Sequence, residues 1–480
     1  MAEVLNGFDY ESIHKQAGYV IKHRKRMKPE VLEMYKQYFE THCATSKKQV
    51  KQAAEAIPHG IQHNLANNYP FALSIVKAVD AFLYDVDGNR YYDMLQAGGP
   101  TILGSNYPLV RDKVLELIRE CGPVFGMYSN YEYELASRIK KHFPTVERFR
   151  MMGSGTEADI IALRLARAYT GKKYIIRIQN NYHGWSDQVI YNNNEIKTPD
   201  SLHHGIPTEC FQYTTAVPTN DLKALEQAFA EQEEKGGTAA FFVEAIGRDS
   251  GALPLTREYQ IGAEKLCRKY NALLVYDEVV TAFRLGMNGA QGFYGTKPDI
   301  TVFGKIIAGG FPSAGGVGGR AEIIDMLAAG QGTDQTKAVR VGGTLTANPV
   351  SCLAGATVID ELVRTDAHRK LEAGGEYLCG RIAELTRKYQ IPALVFHQGS
   401  IMHIDITGIQ HVPTFYEDPN SQACKDAVNE ATRATTEFTM ALAAEGVIVP
   451  SGNKAYLSLA TLPYLDDIAA AYERVFQKYT

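Results

Sequence analysis

The sequence lacks the residues and patterns that define several classes of protein. Its 480 residues include only 7 cysteines, which are scattered and form no Cys-x-x-Cys pair. This pattern argues against a disulfide framework and against a thiolate zinc site. No stretch approaches about 18 uninterrupted apolar residues, so we expect no transmembrane helix. The first twenty residues contain acidic and basic side chains and no long apolar run, so we expect no signal peptide. The expected location is therefore the cytoplasm.

Neither sign of charge is in clear excess. Lys and Arg number 50, Asp and Glu number 54, and the net charge is −4. Such a chain has no overall electrostatic attraction to nucleic acids or anionic membranes, and we expect neither as a partner. The short basic run at His23–Lys28 is typical of a solvated helix face. A hydrophobic content of 45% indicates a soluble globular protein.

Glycine, by contrast, is abundant. The chain has 42 glycines, and many lie between Gly304 and Gly343. Composition alone leaves two interpretations open, a flexible linker or a backbone that packs closely around a ligand.

The order of apolar patterns predicts an α/β protein. From about residue 100 to 345, short apolar runs alternate with helical patterns, which indicates a mostly parallel sheet between helices. The expected strands are Arg148–Met152, Lys173–Ile178, Ala239–Val243, Ala272–Tyr276 and Ile300–Phe303, and the expected helices include Lys28–His42, Glu157–Thr170, Tyr259–Tyr270, Pro349–Leu362 and Asn420–Glu445. A hairpin is expected around Asp87-Gly88.

These patterns divide the chain into four segments. We predict an N-terminal helical extension at 1–55 and a segment at 56–100 that packs with the small domain. A large ligand-binding domain is predicted at 101–345, and a smaller α+β domain at 346–480.

Ligands of α/β sheets collect at the carboxyl ends of the strands, so the residues that follow each strand are the candidate site. After Met152 comes Gly153-Ser154-Gly155-Thr156 and then a helix. Small residues, two hydroxyls and the free N–H groups of a helix start form a suitable phosphate site. Taken alone, the same segment is more simply explained as a helix N-cap through Ser154 or Thr156.

Three charged residues follow two later buried strands, those at Ala272–Tyr276 and Ile300–Phe303. Asp277 and Glu278 follow Tyr276, and a carboxylate there needs a partner such as a protonated ring nitrogen or, structurally, Arg284. Lys305 leaves an apolar strand for an apolar, glycine-rich loop. Desolvation favours a neutral, nucleophilic amine, although a lysine that reaches solvent from a strand end is the simpler interpretation.

An aromatic segment, Asn181–Trp185, follows the strand Lys173–Ile178. Its rings could stack on a flat cofactor or pack in a turn. A phosphate site, an aromatic ring, a carboxylate for a pyridine nitrogen and a lysine for a carbonyl together match pyridoxal phosphate far more specifically than any one of them does.

The motifs resemble those of the class III aminotransferase family, whose members are fold-type I pyridoxal-phosphate enzymes. The resemblance runs from about Phe82 to Leu459, and within the family the chain is similar to the glutamate-1-semialdehyde aminomutase branch. It rests on Gly153–Ala158, Leu163–Arg167, Tyr182–Gly184, Asp277–Arg284, Gly304–Gly310 and Gly343–Pro349.

The resemblance implies a role for each residue that matches a family motif. Lys305 would form the Schiff base, Asp277 would hold the pyridine nitrogen, and Tyr182 and Val279 would pack on the two ring faces. Thr344 would reach the phosphate of a neighbouring subunit, which implies a homodimer with a shared active site. The cofactor residues implied are Ser154, Gly155, Thr156, Tyr182, His183, Glu244, Asp277, Val279, Lys305 and Thr344, and Lys305 and Asp277 are the catalytic ones.

The chain also departs from the family pattern. Glu244 is followed by Ala245 where a proline is common, and Gly60–Asn64 carries no arginine where the aminomutase has one for the substrate carboxylate. Arg284 is one candidate for that contact, and it equally suits a structural pairing with a nearby acid. We expect an aminotransferase acting between an amino acid or amine and a keto acid or aldehyde. A pyridoxal-phosphate-dependent aminomutase or racemase is the alternative.

Two other enzyme classes fit less well. Gly316–Ala321 matches the glycine pattern of dinucleotide-binding proteins, but Pro312–Gly315 rather than an apolar strand precedes it. A metal hydrolase would need His-Glu-x-x-His or paired-ligand spacing, which the sequence lacks, and we expect no metal.

Overall fold

The computed structural model describes residues 4–66, 69–124, 126–179, 181–190, 205–247, 251–328, 336, 338–419, 421–450 and 454–479. The chain forms two compact units. The middle of the chain, Pro108–Thr365, forms one unit, which we call the central unit. The two ends of the chain, Met1–Tyr107 and Asp366–Thr480, form the other, which we call the outer unit.

The central unit is built on a seven-stranded sheet. Across the sheet, its strands are Arg148–Met152, Gly315–Gly319, Ile300–Gly304, Leu273–Asp277, Thr238–Glu244, Tyr174–Ile178 and Thr214–Val217. The last five are mutually parallel, whereas Gly315–Gly319 is antiparallel to both of its neighbours. The helices of this unit are Pro108–Glu120, Asn130–His142, Gly155–Thr170, Leu222–Glu233, Arg257–Lys269, Gly289–Tyr294, Ala321–Ile324 and Pro349–Arg364.

The strand Gly315–Gly319 was not expected from the sequence, because its four glycines have low strand propensity. Its neighbours explain it. A Cβ atom at Gly316 would meet the Phe149 ring, and one at Gly318 would meet Val146 at 2.7 Å. Side chains from the adjacent segment therefore cover the space that this strand leaves open. The glycine-rich region contains a strand, and the fingerprint at Gly316–Ala321 lies mostly within it.

The outer unit contains two four-stranded sheets. One is formed by Val4–Asn6, Leu394–Gln398, Ile401–Asp405 and Lys454–Tyr456, and the other by Val447–Ile448, Arg90–Asp93, Phe82–Asp85 and Ile75–Val79. The helices are Tyr10–His23, Pro29–His42, Ala44–Ala53, Ala367–Lys388, Gln422–Ala444 and Leu465–Gln477. The predicted hairpin is present, since Phe82–Asp85 and Arg90–Asp93 pair antiparallel.

The N-terminal extension is more than helical. Val4–Asn6 pairs in parallel with Val395–His397, so the start of the chain completes one sheet of the outer unit. The Arg26 guanidinium also binds Glu437 on the helix Gln422–Ala444. Residues 4–55 are thus an integral part of this unit.

The boundary between the two units falls at Thr365, whereas the domain boundary predicted from the sequence falls at residue 345. The helix Pro349–Arg364 packs on Asn130–His142 and on the turn Lys305–Ala308. A Cβ atom at Gly355 would collide with the Ile307 carbonyl. This glycine lets the helix backbone approach the turn closely, and the helix thus belongs to the central unit.

None of the helices in the described part of the chain has the length and apolar composition needed to cross a lipid bilayer.

Candidate active site

The carboxyl ends of four strands of the central unit meet at one edge of its sheet. Glu244 is the register partner of Asp277 in the neighbouring parallel strand, and Asp277 is that of Val302 in the next. Lys305 follows that strand directly. Asp277 and Lys305, predicted from strand ends, therefore lie along one edge with Glu244, which the resemblance implied.

The glycine strand brings the predicted phosphate segment to the same edge. Gly315 pairs with Gly304 on one side and with Met152 on the other. A Cβ atom at Gly315 would collide with the Ser154 backbone. Two antiparallel pairings in succession thus place the residues after Met152 beside Lys305.

The segment after Met152 opens the helix Gly155–Thr170. The Glu157 N–H donates to Ser154 Oγ at 3.2 Å, so Ser154 is the helix N-cap. Glu157 in turn accepts a hydrogen bond from the Gly153 N–H at 2.9 Å. Gly155 and Thr156 are the first helical residues, and N–H groups at these positions have no intrahelical acceptor. Both expected features, a cap and a helix start that can bind an anion, are present together.

Close approaches of glycine shape the site. A Cβ atom at Gly304 would meet Val279 Cγ1 at 2.7 Å, and one at Gly155 would meet Val279 Cγ2 at 3.0 Å. Gly184 has a φ of 75° and lies against Thr156, whose Oγ1 would be 2.5 Å from an added Cβ. Larger residues at these positions would fill the space around Val279 and Thr156.

The aromatic segment is held by buried polar groups. Glu244 Oε2 accepts hydrogen bonds from Asn181 Nδ2 at 3.2 Å and from the Tyr182 N–H at 3.4 Å. The buried guanidinium of Arg177 donates to the carbonyls of Asn181 and Val189. The Tyr182 side chain itself is 43% exposed, which leaves it available to a ligand.

Asp277 lies at the centre of the site. It is 5% exposed and accepts hydrogen bonds from His183 Nδ1 at 2.9 Å and from the Val279 N–H at 3.0 Å. Burial lowers the pKa of His183, while the bond to Asp277 opposes that shift. A neutral His183 that donates through Nδ1 leaves Nε2 as an acceptor, and Nε2 is buried without a partner among the described residues.

Glu278, the next residue, has a different environment. Its carboxylate accepts hydrogen bonds from Thr281 Oγ1, the Ala290 N–H and both the N–H and Nε2 of Gln291. Burial raises its pKa, and these four donors offset part of the shift. Glu278 thus anchors a loop and a short helix. It provides the structural role that the sequence left open for this acidic pair.

Lys305 has a backbone φ of 49°, in the left-handed region. For a residue other than glycine this conformation costs about 1 kcal/mol, and such strain clusters at functional sites. The turn Lys305–Ala308 begins directly at the strand end. The positive charge of Lys305 acts to lower the pKa of the buried carboxyl group of Asp159.

The two remaining predicted residues are a buried side chain and a loop residue. Arg284 is only 1% exposed, in a segment where the Phe283 ring packs on Phe143. Thr344 lies in the exposed loop that precedes the helix Pro349–Arg364.

Three residues of the site were missed. Asn181 and Arg177 hold the aromatic segment, and Asp159 lies close to Asp277. Asp159 shares the buried helix face with Ala158, Ala162 and Leu163. An acid on an otherwise apolar helix face is a signal that the sequence contains.

Comparisons with known proteins identify the family and the fold. The aminotransferase class-III family model matches residues 64–471. An omega-transaminase from Sphaerobacter thermophilus is 25% identical, with a TM-score of 0.78 over 90% of this chain and 97% of that one. A beta-phenylalanine aminotransferase from Variovorax paradoxus is 24% identical, with a TM-score of 0.78 over 93% and 97%.

A glutamate-1-semialdehyde aminomutase from Pseudomonas aeruginosa is 21% identical, with a TM-score of 0.77 over 99% of this chain and 100% of that one. The predicted fold class, cofactor and enzyme class are confirmed. The chain belongs to the class III aminotransferase family, as a pyridoxal-phosphate-dependent aminotransferase of fold type I.

Proposed function

We propose that Lys305 and Asp277 are the catalytic residues of this aminotransferase and that both act on pyridoxal phosphate at the edge of the central sheet. The observation that carries the proposal is the register that sets Glu244, Asp277 and Lys305 side by side, next to the start of the helix Gly155–Thr170.

The residues present fit this cofactor. The helix start at Ser154, Gly155 and Thr156 offers N–H groups and hydroxyls to a phosphate. Because Gly155 and Gly304 have no Cβ atom, Val279 lies close to both backbones, where it could cover one face of a flat ring. Tyr182 is exposed enough to cover the other face of a flat ring.

The bound cofactor supplies an aldehyde that reacts with amines and a ring that accepts electrons released at the substrate carbon. Lys305 Nζ would hold the cofactor, and the same amine would move the proton of the amine-bearing carbon of the substrate. Asp277 would keep a proton on the ring nitrogen. His183 orients Asp277 through the 2.9 Å hydrogen bond, and Glu244 holds the segment that carries Tyr182.

The test is Lys305→Ala, with Lys297→Ala as the matched control. Lys297 is an exposed lysine just before the other end of the strand Ile300–Gly304. We expect Lys305→Ala to lose both the visible absorbance of the attached cofactor and all measurable turnover. Lys297→Ala should keep both. Normal turnover of Lys305→Ala would reject the assignment.

We also propose a homodimer in which Thr344 reaches the phosphate held by the neighbouring subunit. Large apolar side chains of the central unit are exposed in the single chain, with Met127 at 81%, Trp185 at 70% and Leu345 at 51%. Exposed apolar groups of this size favour a protein interface. Sedimentation should show a dimer, and Thr344→Ala should weaken cofactor binding about tenfold. A monomer that turns over normally would contradict this proposal.

The substrate pair is best approached by a panel of amine donors. Because the similar proteins include an omega-transaminase and a beta-phenylalanine aminotransferase, the panel should contain α-amino, β-amino and terminal amines. Release of a keto product supports transamination. An isomerised or racemised product would favour the aminomutase or racemase alternative. Arg284→Gln would test Arg284 as a carboxylate contact, through a rise in KM for acidic donors alone.

A further inference from the structure

Asp159 is a buried acid in the site to which the proposed mechanism gives no role. It lies on the helix Gly155–Thr170 and is 1% exposed. Its Oδ1 has no hydrogen-bond partner among the described residues. Ligand atoms of Asp159, His183 and Asp277 all lie within 4.8 Å of one another. Buried polar atoms are nearly always hydrogen-bonded, so an unpartnered one at the centre of a site calls for an explanation.

Two buried carboxyl groups at this separation are not both ionised, because each charge disfavours the other and burial disfavours both. The hydrogen bonds decide which of them holds the proton. Asp277 receives two N–H donors, from His183 and Val279, and these stabilise its charge. Asp159 Oδ1 receives none. The proton therefore belongs to Asp159.

The neighbouring groups lead to the same assignment. Burial and the Asp277 carboxylate raise the pKa of Asp159 well above its usual range, the Lys305 ammonium opposes them, and Glu244 adds to the rise. The helix dipole helps little, because its effect falls off after the first turn, and Asp159 is the fifth helical residue.

A proton on Asp159 also adds a hydrogen-bond donor to a cluster that otherwise offers mainly acceptors. His183, donating to Asp277 through Nδ1, leaves Nε2 as a buried acceptor without a partner in the described part of the chain. An ionised Asp159 would add only further acceptors to this cluster, whereas a protonated one adds one O–H donor.

We propose that Asp159 is a positioning residue that carries a proton at neutral pH and so leaves Asp277 as the single anion of the pair. The consequence for Lys305 rests on the proposed function. A second carboxylate would attract the Lys305 side chain and compete with a carbonyl group for its Nζ. A neutral Asp159 avoids this and still fills the space beside Asp277.

Infrared difference spectroscopy of the cofactor-free protein tests the proton directly. At neutral pH we expect a carbonyl band of a protonated carboxylic acid in the wild type that is lost in Asp159→Asn. Asp85→Asn is the matched control. Asp85 is a buried acid of the outer unit, with donors that include Tyr91 and Asn89, and its replacement should remove no such band. Absence of a difference band at position 159 would overturn the proposal.

The rate of cofactor capture tests the consequence. Cofactor-free wild type and Asp159→Asn are mixed with pyridoxal phosphate, and the visible absorbance is followed at neutral pH. Exchange of one neutral group for another should change the rate by less than about threefold. An ionised Asp159 predicts a tenfold or larger acceleration in the variant, which would overturn the proposal.

A second variant and a metal analysis complete these tests. If Asp159→Asn does not fold, Asp159→Ala serves for both experiments. One equivalent of a divalent metal in the purified protein, lost in that variant, would also overturn the proposal, because the three side chains would then be ligands. Failure of the proposed function can be told apart from failure of this inference. If the proposed function is wrong, Lys305→Ala captures the cofactor normally, whereas the infrared band reports on the Asp159 proton in either case.

Discussion

The two units of this protein treat their buried acids differently. In the outer unit, Asp85 accepts hydrogen bonds from Tyr91 at 2.7 Å and from the Asn89 side chain and N–H at 2.8 Å. Asp405 likewise accepts from the N–H groups of Thr407 and Gly408. These acids are surrounded by donors from their own neighbourhood and stabilise turns.

In the central unit, one buried acid beside the sheet edge is incompletely bonded. Asp159 Oδ1 and His183 Nε2 are buried without partners among the described residues, next to Asp277. Incomplete networks are destabilising, so they persist where a ligand or a proton completes them. The difference separates structural acids from those of the site, and Glu278, with its four donors, belongs to the structural group despite its position.

The sharpest test of this comparison exchanges adjacent acids. Asp277→Asn should still bind the cofactor but lose about 1,000-fold in kcat, because an amide does not hold a proton on the ring nitrogen as a carboxylate does. Single-turnover kinetics on the loaded variant measure the loss. A rate within tenfold of the wild type would remove Asp277 from the catalytic residues.

Glu278→Gln is the matched substitution at the structural acid. We expect the free energy of unfolding to fall by about 2 kcal/mol, because the amide cannot accept from all four donors. Denaturant titration measures this change. The kcat of the folded variant should stay within threefold of the wild type, and a large loss of kcat at unchanged stability would reverse the two roles.

Ser154→Ala separates capping from phosphate binding. Ser154 and Thr256 both cap helices of the central unit, through the N–H groups of Glu157 at 3.2 Å and Tyr259 at 3.1 Å. Either alanine variant should cost about 1 kcal/mol of stability. Only Ser154→Ala should also weaken cofactor affinity. Equal affinities in the two variants would leave Ser154 with the cap alone.

The smallest effect is expected at Asp87, in the outer unit. Partial burial raises its pKa, but hydrogen bonds from Thr45 and Ser46 outweigh this and lower the pKa below its ordinary value of 3.8. Its contribution to stability is thus present above about pH 4 and is lost as the pH falls below that value. Unfolding midpoints between about pH 3 and 6 should show this loss in the wild type and not in Asp87→Asn. The cofactor spectrum at neutral pH should be unaffected, and a changed spectrum would contradict the separation of the two regions.

Much of the sheet could be predicted from the sequence because its strands are short, continuous apolar runs. The strand Arg148–Met152 has the expected bounds, and the strands at Ala239, Ala272 and Ile300 differ from prediction by at most one residue at each end. The segments that follow them carried recognisable motifs.

What could not be predicted depends on contacts remote in sequence. Four glycines form a strand because Phe149 and Val146 cover it. The helix Ala367–Lys388 was not expected. It contains Gly374 and Gly375, which have low helix propensity, and it is explained by their close packing on Leu462 and His397.

The sequence by itself determined the family, the cofactor and the residue types at each strand end, because these follow from local patterns along the chain. Only the tertiary structure decided which acid faces which. Strand register set Glu244 beside Asp277, and two antiparallel pairings brought Ser154 to Lys305. One helix face buried Asp159 near Asp277 and Lys305. Charge states at the site depend on such distances, and distances between strands are a property of the fold rather than of any single segment.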